Sequence, residues 1–136
     1  MNDFSDLLRH DTVLAGIAAA NKKTLFQALA AAAARPAGQD AKLLTDVLLE
    51  REKLGSTGFG GGVAIPHGKV AGLTQIVGVF ARLAQPVDFQ AVDDMPVDLV
   101  FAMFSPADAG SAHLKALARI SRRLRDKGFV AKLRGA

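Results

Sequence analysis

The segment at residues 97–104, which reads VDLVFAMF, leaves this chain few possible folds. It is apolar at every position except Asp98. A strand that is apolar on both faces needs a covering layer on each side, as in sheets with helices packed against them. We therefore predict a central, doubly covered strand that ends at Ser105 and Pro106.

Other segments supply helices and strands around this strand. Apolar residues three and four positions apart predict two helices, over residues 21–36 and 40–53, and Gly55 suits the C-terminal end of the second. Further helices are predicted from Ser111 and over residues 127–133, and further strands near residues 13–14 and over residues 63–65 and 76–83. This mixture predicts an α/β fold with one sheet.

Length and composition indicate one globular domain. The chain has 136 residues, half of them hydrophobic and 22% charged, and this is enough to form a core. It has no cysteine, which excludes disulfides, thiolate metal ligands and a cysteine nucleophile, and which predicts a cytoplasmic protein. No apolar run approaches the roughly 20 residues of a membrane helix, and the first residues lack the pattern of a secretion signal. We predict a single domain over residues 1–136 without membrane insertion.

The charge is unevenly distributed along the chain. Residues 1–111 carry 9 Lys and Arg against 12 Asp and Glu, a balance of −3, whereas residues 112–136 carry 8 against 1, a balance of +7. A basic segment can bind nucleic acid or an acidic partner, although a solvated helix face is the more common explanation. The chain has no Trp or Tyr, and Phe129 is the only aromatic residue of this segment, so nucleic-acid binding is not expected.

The segment GSTGFGGG at residues 55–62 predicts a loop, because five of its eight residues are glycine. It fits neither common nucleotide motif. A P-loop needs Gly-Lys-Ser or Gly-Lys-Thr, and the chain offers only Lys69 followed by Val70. A dinucleotide-binding loop opens a helix, whereas a predicted strand and Pro66 follow here. No nucleotide cofactor is therefore expected.

The sequence GVAIPHG, residues 62–68, places His67 directly after a short predicted strand. Pro66 fixes its own φ, and Gly68 lacks a Cβ at a point where a bulky group approaches the backbone. A lone histidine is more often structural than catalytic. At the end of a strand, however, it suits a nucleophile or general base, because an imidazole with a pKa of about 6.5 offers a lone pair at neutral pH.

Two further residues extend this hypothesis. His113 lies in the first turn and on the inward face of the predicted third helix, where a neutral imidazole can donate a hydrogen bond to phosphate; a buried structural histidine is the alternative. Arg51, at the edge of the apolar stripe of the second helix, can hold phosphate through its planar fork or can simply compensate the helix dipole. With His67 they would form a phosphoryl-transfer site without metal or nucleotide. A metal site is the rival, but no H-x-x-x-H spacing supports it, and we assign no role to His10.

The segment LEREKLGSTGFGGGVAIPHGK, residues 49–69, resembles the active-site segment of the IIA proteins of the bacterial phosphotransferase system, in the mannitol, fructose and nitrogen-regulatory branch. Residues 89–117, FQAVDDMPVDLVFAMFSPADAGSAHLKAL, resemble a second block of the same family. The resemblance implies a mixed sheet flanked by helices. It also implies that His67 accepts the phosphoryl group and that Arg51 and His113 flank the phosphohistidine. The family normally continues into a further C-terminal helix, which we expect to be missing here.

The sequence around PHG is more similar to the nitrogen-regulatory IIA proteins than to the sugar-specific ones. This resemblance implies a phosphotransferase that takes phosphate from a phosphorylated HPr-like carrier. It implies regulatory targets, such as potassium-transport components, that respond to the phosphorylation state, and no cofactor. Two alternatives stay open: a IIA component that passes phosphate to a separate IIB subunit for fructose- or mannitol-type sugar uptake, and a non-catalytic interaction module whose basic segment binds acidic partners.

Overall fold

The computed structural model describes residues 12–135, in which six strands form one sheet and four helices pack against it. The strands are β1 (Val13–Ile17), β2 (Gly58–Gly60), β3 (Val63–Ala64), β4 (His67–Val70), β5 (Val77–Val87) and β6 (Val97–Pro106). The helices are α1 (Lys22–Ala37), α2 (Ala41–Lys53), α3 (Ser111–Leu124) and α4 (Lys127–Gly135).

The sheet is mixed, as the family resemblance implied. Its strand order is β1-β5-β6-β3-β2, and β4 also pairs with β6, beyond the end of β3. β5 runs antiparallel to β6, whereas β3 and β4 run parallel to it. The predicted α/β class with a single mixed sheet and flanking helices is therefore confirmed.

Strand β6 is central and covered on both faces. Its side chains alternate between two apolar clusters, as the two-residue period of a strand requires. Val100, Ala102 and Phe104 pack on the side of α1 and α2. Leu99, Phe101 and Met103 pack on the side of α3 and α4. The prediction drawn from VDLVFAMF is confirmed.

Helix boundaries follow from capping chemistry. The Asn21 side chain accepts a hydrogen bond from the Thr24 amide and begins α1, which ends at Gly38 with φ of 65°. Pro36 lies inside the last turn of α1, so the helix continues past the proline at which we predicted its end. The Asp40 side chain caps α2 by accepting a hydrogen bond from the Lys42 amide. Only residues 38–40 therefore connect the two helices.

Three predictions for the region before the histidine need correction. The glycine segment is not all loop, because β2 forms within it and pairs with β3. Leu54, rather than Gly55, is the residue that caps α2. The third correction concerns His67, which opens β4 instead of following the end of a strand. Pro66 separates β3 from β4, and the Pro66 carbonyl accepts a hydrogen bond from the Met103 amide of β6, so the histidine stands on the sheet.

Two further expectations concern membrane insertion and the C-terminal end of the chain. Among residues 12–135, no helix has the length and apolar character needed to cross a membrane. The expectation that a further C-terminal helix is missing concerns residues beyond this sequence, and it stays a prediction.

Candidate active site

His67 is held by the backbone two residues before it. Its Nδ1 lies 2.7 Å from the Ile65 carbonyl oxygen. Because a carbonyl oxygen can only accept, Nδ1 carries the proton in the neutral ring. The lone pair is then on Nε2, so the histidine exposes a nucleophilic nitrogen on a rigid strand.

The surroundings of His67 keep it neutral. Burial lowers the pKa of His67 below its ordinary value of 6.5, and the nearby Arg51 guanidinium lowers it further. The hydrogen bond to Ile65 and the Glu52 carboxylate act in the opposite direction and are outweighed. The ring therefore retains its lone pair at neutral pH.

Gly68 owes its lack of a side chain to a neighbouring helix. A Cβ at this position would overlap Cγ1 of Val47, which projects from α2 onto β4. The bulky group that we predicted beside the backbone is thus part of the protein itself. Only glycine lets α2 lie this close to β4, and α2 carries Arg51.

Arg51 lies in the last turn of α2, where the sequence placed it. Its Nη1 donates to the Gly55 carbonyl oxygen at 2.9 Å, which directs the guanidinium across the end of the helix. Arg51 and His67 line the same cavity, of about 650 Å³. A half-buried guanidinium with remaining N–H groups in such a cavity is suited to binding phosphoryl oxygens.

His113, from α3, lines the same cavity. Its side chain is 7% exposed, and its ring centroid lies 5.7 Å from that of His67. Burial lowers the pKa of His113, and the positive charges of a protonated His67 and of Lys69 lower it further. The second histidine is therefore also neutral at neutral pH.

Two groups of supporting residues were not predicted from the sequence. Glu52 accepts from Lys22 Nζ at 2.8 Å and from Thr57 Oγ1 at 2.6 Å, which ties the end of α2 to α1 and to the loop before β2. Ser105, whose Oγ lies 2.7 Å from His113 Nδ1, is fully buried in β6. The signal for Glu52 was absent, since a glutamate in an amphipathic helix is ordinary. For Ser105 the signal was a polar residue directly after a fully apolar run.

The structure thus brings together the three residues singled out from the sequence. His67, Arg51 and His113 come from β4, α2 and α3, and all three line one cavity. Within residues 12–135, no group of three or more His, Asp or Glu side chains is placed to hold a metal ion. His10 lies outside the described residues.

Comparison with known proteins identifies the family of this chain. Residues 6–136 match the family model described as "Phosphoenolpyruvate-dependent sugar phosphotransferase system, EIIA 2". The chain belongs to this EIIA family.

Among its relatives, this EIIA chain is 50% identical to a nitrogen regulatory protein of Bradyrhizobium diazoefficiens, over 97% of the chain and 86% of that protein. It is 42% identical to a fructose-specific EIIA component of Haloferax volcanii, over 77% of the chain and 67% of that protein. The crystal structure of nitrogen regulatory protein IIA-Ntr from Neisseria meningitidis superposes with a TM-score of 0.91 at 35% identity, covering 96% of this chain and 89% of that one. The chain is thus similar to both regulatory and sugar-specific members.

Proposed function

We propose that this EIIA chain is a single-domain, cytoplasmic regulator that accepts a phosphoryl group on His67. The donor is a phosphorylated HPr-like carrier protein. Nε2 of His67 attacks the phosphorus, a new N–P bond forms, and the bond between phosphorus and the carrier's leaving group breaks in line with it. The electron pair of the broken bond returns to the carrier, so the transfer needs neither metal nor nucleotide.

One observation carries this proposal: the Nδ1–H of His67 is engaged by the Ile65 carbonyl, so Nε2 presents its lone pair to the cavity. A nucleophilic imidazole must offer one unprotonated nitrogen, and the hydrogen bond at the other nitrogen selects which one. A structural histidine would more commonly have both nitrogens satisfied by the protein.

Arg51 and His113 suit the charge that the transfer creates. Negative charge spreads over the three equatorial oxygens of the phosphoryl group in the transition state. The guanidinium of Arg51 and an N–H of His113 are donors on two sides of the cavity, and both positions are fixed before the phosphoryl group arrives.

The carrier would dock on the rim of this cavity. Leu43 and Leu54 line it and are 44% and 84% exposed, so the rim presents apolar surface to a partner. Asp46 and Glu50 on the same helix give the rim an acidic component. An apolar centre with charged surroundings is the usual composition of a protein-docking surface.

Regulation follows from the charge of the phosphoryl group, which adds about −1.5 to −2 at neutral pH beside this rim. Partners that bind this rim would therefore distinguish the phosphorylated protein from the unphosphorylated one. The names of the most similar relatives support targets of nitrogen-related regulation, and potassium-transport components are the targets we propose. Transfer to a separate IIB subunit for fructose- or mannitol-type uptake is the second candidate. It is supported by the fructose-specific relative, which matches less of the chain at lower identity.

The test is intact-mass analysis after incubation with phosphoenolpyruvate, enzyme I and an HPr-like carrier. We expect one acid-labile phosphate on the wild-type chain and none on the His67→Ala variant. His113→Ala should still accept phosphate, although more slowly, and serves as the matched histidine control. Labelling of the His67→Ala variant would contradict the assignment. Failure of the wild type with carriers of both branches would favour the non-catalytic interaction module.

A further inference from the structure

Ser105 makes an unusual contact behind the second histidine. It is the next-to-last residue of β6, pairs with Lys69 of β4, and is 0% exposed. Its Oγ lies 2.7 Å from Nδ1 of His113. This is a buried hydrogen bond between two side chains on different elements, and the residue follows seven apolar positions of the core strand.

The direction of this hydrogen bond can be deduced. A serine hydroxyl has one proton, and an imidazole Nδ1 either donates or accepts. If Nδ1 donated to Oγ, the buried hydroxyl proton would need another acceptor, and in the described part of the chain Ser105 has no side-chain bond except that with His113. A buried donor without an acceptor is strongly disfavoured. The hydroxyl therefore donates to Nδ1, and the proton of the neutral ring is on Nε2.

The two histidines then expose opposite chemistry to one cavity. His67 has its proton on Nδ1 and its lone pair on Nε2, because a carbonyl holds Nδ1. His113 has the reverse arrangement, because a hydroxyl holds Nδ1. The ring centroids are 5.7 Å apart and both rings line the cavity, so a nucleophile and an N–H donor lie next to each other.

We propose that Ser105 is a positioning residue of phosphoryl transfer, which holds His113 in the Nε2–H tautomer so that the ring donates to a phosphoryl oxygen. The proposal rests on the proposed function of His67. It adds a residue that touches neither the phosphoryl group nor the nucleophile and acts only through the ring of His113. Hydrogen-bond partners behind a functional histidine commonly fix its tautomer and orientation in this way.

The experiment uses a matched pair of variants. Ser105→Thr retains the hydroxyl, whereas Ser105→Val has nearly the same shape as threonine and lacks it, so the pair separates the hydroxyl from the change in volume. Ser105→Ala is a third variant, without added bulk. The first readout is the 15N chemical shifts of the His113 ring nitrogens in the full, unphosphorylated chain. The second is the single-turnover rate of phosphoryl transfer from the phosphorylated carrier.

In the wild type and in Ser105→Thr we expect a protonated Nε2 and an unprotonated Nδ1, with transfer rates within about twofold of each other. In Ser105→Val and Ser105→Ala we expect altered tautomer populations at His113 and transfer slowed by about fivefold, the equivalent of one neutral hydrogen bond. The His67 shifts should stay the same in all variants.

A protonated Nδ1 on His113 of the wild type would overturn the proposal without any variant. Equal transfer rates in Ser105→Val and Ser105→Thr would overturn it as well. Failure of the proposed function looks different: no chain takes up phosphate, while the NMR readout still decides the tautomer of His113.

Discussion

His67 and His113 differ in the atom that lies behind each ring. A backbone carbonyl behind His67 leaves a lone pair facing the cavity, and a hydroxyl behind His113 leaves an N–H. Burial lowers the pKa of both rings, so both are neutral at neutral pH. The chemistry of each ring is therefore set by a neighbour that does not line the cavity.

Arg51 provides the first test at this scale. Its fork is already directed by the Gly55 carbonyl, so lysine keeps the charge but loses the planar geometry. We expect Arg51→Lys to slow single-turnover transfer about tenfold and Arg51→Ala about a hundredfold, as for the loss of a transition-state donor. Thermal unfolding should change little, because the side chain is only half-buried.

The control for this prediction is Lys53→Ala on the same helix. Lys53 is an exposed cation paired with Glu50, so its loss removes charge near the site without removing the fork. Transfer should be close to that of the wild type. Loss of stability in proportion to loss of activity in the Arg51 variants would instead support a structural role for the arginine at the end of α2.

At the scale of elements, the contact between α2 and β4 decides whether a site forms. The two elements meet at Gly68 and Val47, and each carries one half of the site, Arg51 on α2 and His67 on β4. Behind them, the Lys22–Glu52–Thr57 network fixes the end of α2 against α1. The distance between guanidinium and imidazole is thus set by helix–strand packing.

Gly68→Ala tests this packing. The new methyl group would overlap Val47, so Val47 or the helix that carries it must shift, and we expect the free energy of unfolding to fall by about 1–3 kcal/mol. The single-turnover rate of phosphoryl transfer should fall by more than the loss of folded protein explains, because a shift of α2 separates Arg51 from His67. Chemical denaturation and single-turnover kinetics measure the two effects.

A second substitution distinguishes overlap from strain in the strand. Val47→Ala removes the atoms that meet the new methyl group, so the double variant Val47→Ala/Gly68→Ala should recover most of the lost activity. If the double variant were as slow as Gly68→Ala alone, the overlap would not be the cause.

For the whole molecule, the half-buried His67 and the buried His113, both neutral, couple stability to pH. Their pKa values are lowered in the folded chain, so near pH 6.5 the unfolded chain binds more protons than the folded one. The free energy of unfolding then rises with pH through this range and falls as the solution is acidified. We expect the melting temperature to decrease from pH 7.5 to pH 5.5, above the range in which carboxylates ordinarily titrate.

The His67→Gln variant checks the origin of this slope. Glutamine does not titrate, so the decrease in melting temperature between these two pH values should be smaller in the variant than in the wild type. An identical slope in both proteins would mean that His67 is not held neutral by the fold. Phosphoryl acceptance by the wild type should persist below pH 6.5, because the lowered pKa preserves the lone pair there.

The uneven charge along the chain is also a property of the whole molecule. The basic residues of segment 112–135 lie mostly on the exposed sides of α3 and α4, as expected for a solvated helix face. Several of them are engaged within the domain: Arg134 holds Asp98 at the start of β6, Arg123 stacks on Phe129, and Arg125 lies over Phe59. Part of the positive charge therefore fastens α4 to the sheet.

The sequence alone determined the central strand, the helices, and the choice of the three residues that line the cavity. These features depend on local rules. A strand covered on both faces must be apolar throughout, a helix needs an apolar stripe, and the motif around His67 is specific enough to indicate the family. Arg51 and His113 were likewise predicted from a local feature, their positions on the faces of amphipathic helices.

Only the tertiary structure decided how these residues are arranged. The reason for Gly68 is a side chain 21 positions earlier, the nitrogen offered by His113 depends on a hydroxyl in another element, and β2 and β4 exist because neighbouring strands supply their hydrogen bonds. Contacts between residues distant in sequence leave no periodic trace along the chain. Geometry and protonation are therefore properties of the packed molecule, whereas the choice of chemical groups could be predicted from the sequence.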